Sequence, residues 1–523
     1  MRIGVCCKLC WLASLFLDAS LYGATYYVAT DGSDSFPGTA AQPFRTITRA
    51  YATAAPGVEI LVRPGVYTDY TTGWGIHLSA SGTASAPIVL RSQLPGAAII
   101  DGQYLSDRDQ AISIDGSYNV LSGFEIRNGT KGGISIAGNN NQILNCNIYN
   151  NGNLASTNTD GQDGIYSSEG TSGNIYAANN VHHNGRTGSN LDHGLYLCGE
   201  NEAVIDNIIL ANAASGLQIA GYTTVSNLKV YNNVIALNGT DGILLWQALS
   251  GIDIKNNVLF RNGHYGIGSY QAHGSGVTVD HNLSFGNGYG DFNLSDGSSD
   301  YSCTLGTALY TDPLFVNAAA DAFDAHLTSR SPAISAALNL SSAFTTDMSG
   351  ADRSPSGPWD LGAFNYTSST NNLAISVAIA KAKDGMRLTW NSQLGKTYRV
   401  AYKNDLKSNW ADLTGDLSAT GWLMSWTDSS GTLPQRFYTV YSINDASSAG
   451  NLAISVAIAK AKDGMRLTWN SQLGKTYRVA YKNDLKSHWA DLTGDLPAAG
   501  SFMSWTDSSG TLPQRFYTVY SIN

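Results

Sequence analysis

The chain has 523 residues, a formal charge of −9 and 14% charged residues, with 55 Gly and 28 Tyr. That length exceeds one ordinary domain, and the charge-poor, turn-rich composition suits a β-rich extracellular protein better than a helical cytosolic one. The negative balance argues against nucleic acid as a partner, and a polyanion would need local cations to offset the general repulsion.

The first 24 residues have the form of a secretory signal. Arg2 and Lys8 give the positive start, Leu9 to Leu17 the apolar centre, and Ser20 to Ala24 the small residues near a cleavage point. The apolar run is too short for a membrane span, so a secreted or periplasmic product is expected. Cys6, Cys7 and Cys10 leave with the signal; Cys146, Cys198 and Cys303 remain, in separate repeats, and are expected as buried free thiols.

From Tyr26 to about Asp101 the chain has the look of a cap and entry coils, with PFRTITRAYATAAPG as an amphipathic helix covering an open end. Six related phrases follow: NIYNNG from Asn147, NVHHNG from Asn180, NIILAN from Asn207, NVIALNG from Asn233, NVLFRNG from Asn257 and NLSFGNG from Asn282. Their first Asn residues recur every 24 to 33 positions. Short β-branched runs separated by Asn/Gly turns at such a period predict an all-β solenoid, a right-handed parallel β-helix. The first Asn residues are expected to stack as an inward amide ladder that satisfies buried backbone groups. DPLFVNAAADAFDAHLTSRSPAISAA and DLGAFNY, ending near Tyr366, read as closing coils and a cap.

The β-helix with its cap is thus assigned to residues 25–367 and a linker to 368–371. Residues 372–444 and 451–523 are one module twice, differing at five positions: Asn409/His488, Ser418/Pro497, Thr420/Ala499, Trp422/Ser501 and Leu423/Phe502. Their alternating MRLTW, KTYRVAY and FYTVYSI runs predict two small tandem β-sandwiches. Two copies suit avidity for a repetitive glycan or cell surface, with Trp410, Trp422 and Tyr441 as stacking candidates; a plain spacer fits equally. A monomer is expected.

A Gly and an apolar residue follow each Asn phrase, and the position before that Gly holds Asp163, His193, Ser215, Asp241 and Tyr265. Ile165, Leu195, Leu217, Ile243 and Ile267 should face the core, and Tyr166, Tyr196, Gln218, Leu244 and Gly268, one step on, should face outward. DGQDGIY and LDHGLY therefore bring carboxylates, an imidazole and phenols onto one face, beside a long loop carrying Arg186.

NCNIYNN, DGQDGIYSSEG, NIYAANNVHHNG and LDHGLYL resemble the secreted pectate-lyase-like β-helix proteins, nearest to polysaccharide lyase family nine; the resemblance spans Tyr26 to Tyr366. It implies an extracellular lyase cleaving an acidic, uronate-containing polysaccharide, with Asp160, Asp163 and Asp192 as Ca2+ ligands. The Lys that the family uses as base is replaced here by Ser168 and Glu169. His193 or Tyr196, with Tyr166 and Asp241 nearby, are then the catalytic candidates. Arg186, Gln218, Trp246, Tyr265 and Tyr270 are the substrate-binding candidates. The acidic residues also fit turn chemistry or a structural Ca2+ site, and Lys229 and Lys255 fall outside this column. Inverting hydrolysis through Asp192 and Asp241, C5 epimerisation, and a non-catalytic glycan-binding β-helix stay open.

Overall fold

The computed structural model describes residues 23–68, 75–103, 110–152, 161–295, 300–320 and 323–366 of the solenoid, and most strands of the C-terminal region. Residues 1–22, which hold most of the expected signal, lie outside the described residues. The chain divides into two compact units, Met1–Ser368 and Ser369–Asn523.

Short strands repeat around three parallel ladders in the first unit. One ladder climbs through Ala24–Val28, Val58–Val62, Ile88–Ser92, Asn119–Ser122 and Gln142–Leu144 to Asp253–Lys255. A second, ten strands high, runs from Gly65–Tyr67 to Ala308–Leu309. The third passes from Ile76–Leu78 through Gln110–Ile114, Gly132–Ile136, Ile165–Ser167, Leu195–Leu197 and Leu217–Ile219 to Ile243–Ser250 and Tyr265–Asp280. The interior is a column of Ile, Val and Leu from successive coils, sealed below by the helix Ile47–Tyr51, whose Ile47, Ala50 and Tyr51 are buried. A solenoid leaves each coil's apolar face bare until the next coil covers it, so burial accrues coil by coil.

Two amide ladders, not one, hold the corners. The first is Asn179, Asn207, Asn233, Asn257 and Asn282, with Cys146 beneath. Asn233 shows the pattern: its Nδ2 donates to Val204 O and to Asn257 Oδ1, both at 2.9 Å, while its Oδ1 accepts from Asn207. The expected ladder is corrected by one residue in its first two coils, because Asn147 and Asn180 stand outside it and pair with each other at 3.1 Å. A left-handed residue precedes each ladder position, such as Asn232 at φ 55° and Asn256 at φ 61°, and this kink turns the following Asn inward. The second ladder is Asn151, Asn184, Asn212, Asn238, Asn262 and Asn287, linked side chain to side chain at 3.0 Å throughout. Its members close all six phrases, four of which open with a member of the first ladder.

The expected closing coils are a different structure. Phe315–Asn317 and Asp324–Leu327 form an antiparallel pair, and residues 331–366 run as a strap across the corners. There Asn232 Nδ2 donates to Asp360 O and Gly362 O at 3.1 Å, and Arg353 Nη2 meets Asp206 Oδ1 at 2.5 Å. Cys146 and Cys198 are buried free thiols, whereas Cys303 is only half-buried.

Each copy in the second unit has a three-stranded and a four-stranded antiparallel sheet, consistent with a small sandwich. Leu388, Trp390, Tyr398, Val400, Tyr438 and Val440 make the core of the first copy. Trp410, Trp422 and the Tyr441 side chain lie outside the described residues.

Candidate active site

The third ladder stacks the expected columns. Gly164 N donates to His193 O, Gly194 N to Ser215 O, Gly216 N to Asp241 O and Gly242 N to Tyr265 O, each at 2.9 to 3.0 Å. Asp163, His193, Ser215, Asp241 and Tyr265 are therefore one column. The recurring Gly is required by the second amide ladder: a Cβ on Gly194 would fall 2.5 Å from Gly216 O and 2.7 Å from Asn212 Nδ2. Tyr166, Tyr196, Gln218, Leu244 and Gly268 form the adjoining column in strict register.

His193 lies at the centre. Its ring meets Tyr196 edge-on at 5.7 Å, and Tyr196 meets Tyr166 at 5.6 Å. His193 Nδ1 faces the Ser215 N–H at 3.2 Å and accepts from it, which places the imidazole proton on Nε2. Burial pushes the imidazole down to about 4, with Asp192 opposing the shift, so the ring is neutral at physiological pH. With its Nδ1 lone pair taken by a backbone donor, the ring offers Nε2–H as a hydrogen-bond donor.

The phenols shift upward. Burial raises Tyr166 to about 12, and burial followed by the nearby Cys198 and Tyr166 raises Tyr196 as well. A base needs a lowered value, so both rings are better suited to donate a proton. Gln218 is buried, as His193 is, and hydrogen-bonds Tyr196.

The three acidic residues separate. Asp160 lies outside the described residues. Asp163 Oδ1 accepts from His193 N at 2.7 Å, and burial raises its carboxyl well above the usual range. Asp192 is fully buried and fully engaged: Oδ1 accepts from Gln162 N and Arg186 Nη2, and Oδ2 from Arg186 N and Nε. Burial disfavours its ionisation, but the Arg186 hydrogen bonds outweigh this and hold the carboxyl below its ordinary value. Ca2+ takes six to eight oxygens at about 2.3–2.6 Å. Asp192 has no oxygen to spare, and no group of three His, Cys, Asp or Glu side chains suited to a metal occurs among the described residues. The described residues thus do not fit a Ca2+ centre. Arg186, expected to meet substrate, spends its fork on Asp192.

Asp241 stands higher on the same column. Its Oδ1 accepts from Tyr265 N at 3.1 Å, His264 Nδ1 lies 3.7 Å from Oδ2, and burial raises its carboxyl. Tyr289 stacks on His264 at 4.3 Å and meets Tyr265 at 5.8 Å. Trp246 and Tyr270 pair at 6.1 Å further along the strands, Tyr270 being 56% exposed. Lys255 is held by Asp253 at 2.8 Å.

Comparison with known proteins agrees with this fold. The profile for "Pel9A-like, right handed beta helix region" matches residues 26–192, and that for "Right handed beta helix region" matches 193–306. The solenoid is a right-handed β-helix, and its first part resembles the Pel9A-like proteins. This β-helix is 40% identical over 98 residues to "Pectate lyase PEL9" of Emericella nidulans, covering 19% of this chain and 23% of that protein. It is 31% identical over 135 residues to "Pectate lyase L" of Dickeya chrysanthemi, covering 24% and 32%. The matched stretches are thus less than a third of these relatives' lengths. The crystal structure of pectate lyase Pel9A superposes with a TM-score of 0.51 at 20% identity, covering 66% of this chain and 97% of that one, which is agreement of fold. No helix among the described residues is long and apolar enough to cross a membrane.

Proposed function

We propose that this chain is a secreted polysaccharide lyase that cleaves an acidic, uronate-containing polymer by β-elimination on the third face of the β-helix. The carrying observation is the neutral His193, whose Nε2–H is the donor end, packed against the un-ionised phenol of Tyr196, which in turn meets Tyr166. The relatives' names, both pectate lyases, support the reaction class.

Elimination needs the uronate carboxylate stabilised as the C5 proton leaves, a base for that proton, and an acid for the leaving oxygen. In this reading His193 Nε2–H donates to the substrate carboxylate as charge builds on it, a role in which a fixed neutral donor is effective. Asp163, with one oxygen on the His193 N–H and a raised carboxyl, takes the C5 proton from its other oxygen. Tyr196 or Tyr166 protonates the departing glycosidic oxygen. Trp246, Tyr265 and Tyr270 offer ring faces to the sugars. Arg186 acts indirectly, by fixing the loop through Asp192.

The test is ultraviolet absorbance of unsaturated uronate products on pectate, alginate, glycosaminoglycans and ulvan. Product formation lost in His193→Ala supports the reading. New reducing ends without the unsaturated chromophore would replace it with hydrolysis.

A further inference from the structure

A groove of about 380 Å3 opens on the same face, lined by Gly221, Tyr222, Gln247, Ala248, Gln271 and His273. It borders Trp246 and Tyr270, which lie two and three coils above Tyr196. At the spacing of neighbouring strands that is roughly 10 and 14 Å along the solenoid axis.

The backbone here is unusual for the ladder. The register between the two strands shifts between Trp246 and Ala248, and Gln247 and Gln271 stand in the left-handed region at φ 61° and 49°. A bulge re-aims the side chains beside it, and a bulky residue held left-handed is a local cost of the kind that collects at ligand sites. Two successive coils accept it at matching places. The result sets two amides beside three exposed or half-buried rings, Tyr222, Trp246 and Tyr270.

No Lys, Arg, Asp or Glu is among the six lining residues. At the rim, the Glu169 carboxylate accepts from Tyr222 N. A uronate placed here would find neither Lys nor Arg among the lining residues and would face a carboxylate. An uncharged pyranose would find aromatic faces for its C–H surface and amides for its hydroxyls.

We infer that this groove is a subsite for an uncharged sugar residue, so the polymer bound is one in which uncharged residues accompany the uronates. The inference rests on this face being the polysaccharide-binding face of the proposed lyase and narrows its substrate class.

The test is calorimetric titration of the full chain carrying His193→Ala, its fold checked against the unaltered chain by circular dichroism. Three probes are used: uncharged xylo- and galacto-oligosaccharides, hyaluronan and ulvan oligosaccharides that alternate uncharged and uronate residues, and all-uronate oligogalacturonate. Added Trp246→Ala, and separately Tyr270→Ala at its exposed position, should each weaken an uncharged or alternating probe by roughly tenfold, the size of a lost aromatic stack. Oligogalacturonate affinity should not change. An equal loss on oligogalacturonate, or no uncharged or alternating probe that responds, overturns the inference. Failure of the lyase reading is seen separately, as no unsaturated product from the unaltered chain, and leaves the binding result intact.

Discussion

Arg186 grips both carboxylate oxygens of Asp192, with Nε and Nη2 each 2.7 Å from an oxygen. The pair carries its own neutralisation, in a place where the family resemblance suggests a metal ligand. Two consequences are measurable. Chelator should leave any lyase activity within about twofold, since a carboxylate already forked by guanidinium has little left for a hard cation; loss of activity restored by Ca2+ would reject this. Asp192→Ala should lower unfolding free energy by roughly 3 kcal/mol in denaturant titration, because it strands a half-buried guanidinium.

His193 is expected to act as a donor, so its replacement should lower kcat more than it raises KM. His193→Ala should reduce kcat by about 100-fold or more, the usual effect of removing one preorganised donor from a developing anion. The pH–rate profile gives an independent check. With the imidazole near 4 in the fold, activity should show no acid limb between pH 5 and 7 that belongs to His193. A limb in that range that vanishes in His193→Gln would mean the ring titrates as a base.

Register can be read from stability. Asn233→Ala removes a buried amide that bonds three neighbours and should cost roughly 3 kcal/mol. Asn147→Ala, outside the ladder, should cost under about 1 kcal/mol. Comparable losses at both sites would refute the inward placement.

Glu202 is wholly buried, its Oε1 accepting from Ser167, Thr171 and Asn174. Burial, partly offset by these hydrogen bonds, raises the carboxyl from 4.5 to about 7. Because the folded value lies above the unfolded one, the folded state binds the extra proton between these two pH values. Its contribution is therefore fully present below pH 4.5, declines as pH rises towards 7, and is level above. Relative to Glu202→Gln, the unaltered chain should lose roughly 3 kcal/mol of stability across that interval. Parallel pH profiles for the two proteins would sink the assignment.

Much of the architecture is legible in the chain because a solenoid repeats one local problem. Every coil must turn, bury an Ile or Leu and satisfy the corner's backbone groups, so Asn, Gly and apolar residues recur at a near-constant period. That is why the column Asp163, His193, Ser215, Asp241 and Tyr265 is readable before any coordinates. The second amide ladder is equally legible, in the Asn that closes each phrase. The misread start of the first ladder has a physical cause: NCN and ANN both contain adjacent candidates, and only the left-handed residues Asn145 and Ala178 decide which one points inward.

The periodic part is written in the chain: parallel coils, the inward apolar stripe, and which residues share a face. Those follow from alternation and repeat length, which are properties of neighbours along the chain. Tertiary structure alone decided the protonation state of His193, the commitment of Arg186 to Asp192, and the groove beside Trp246, lined by neither Lys nor Arg. Each depends on which donor, charge or void the next coil or a folded-back loop places within a few ångströms, and the strength of electrostatics there is set by burial. Spacing along a chain carries no record of that.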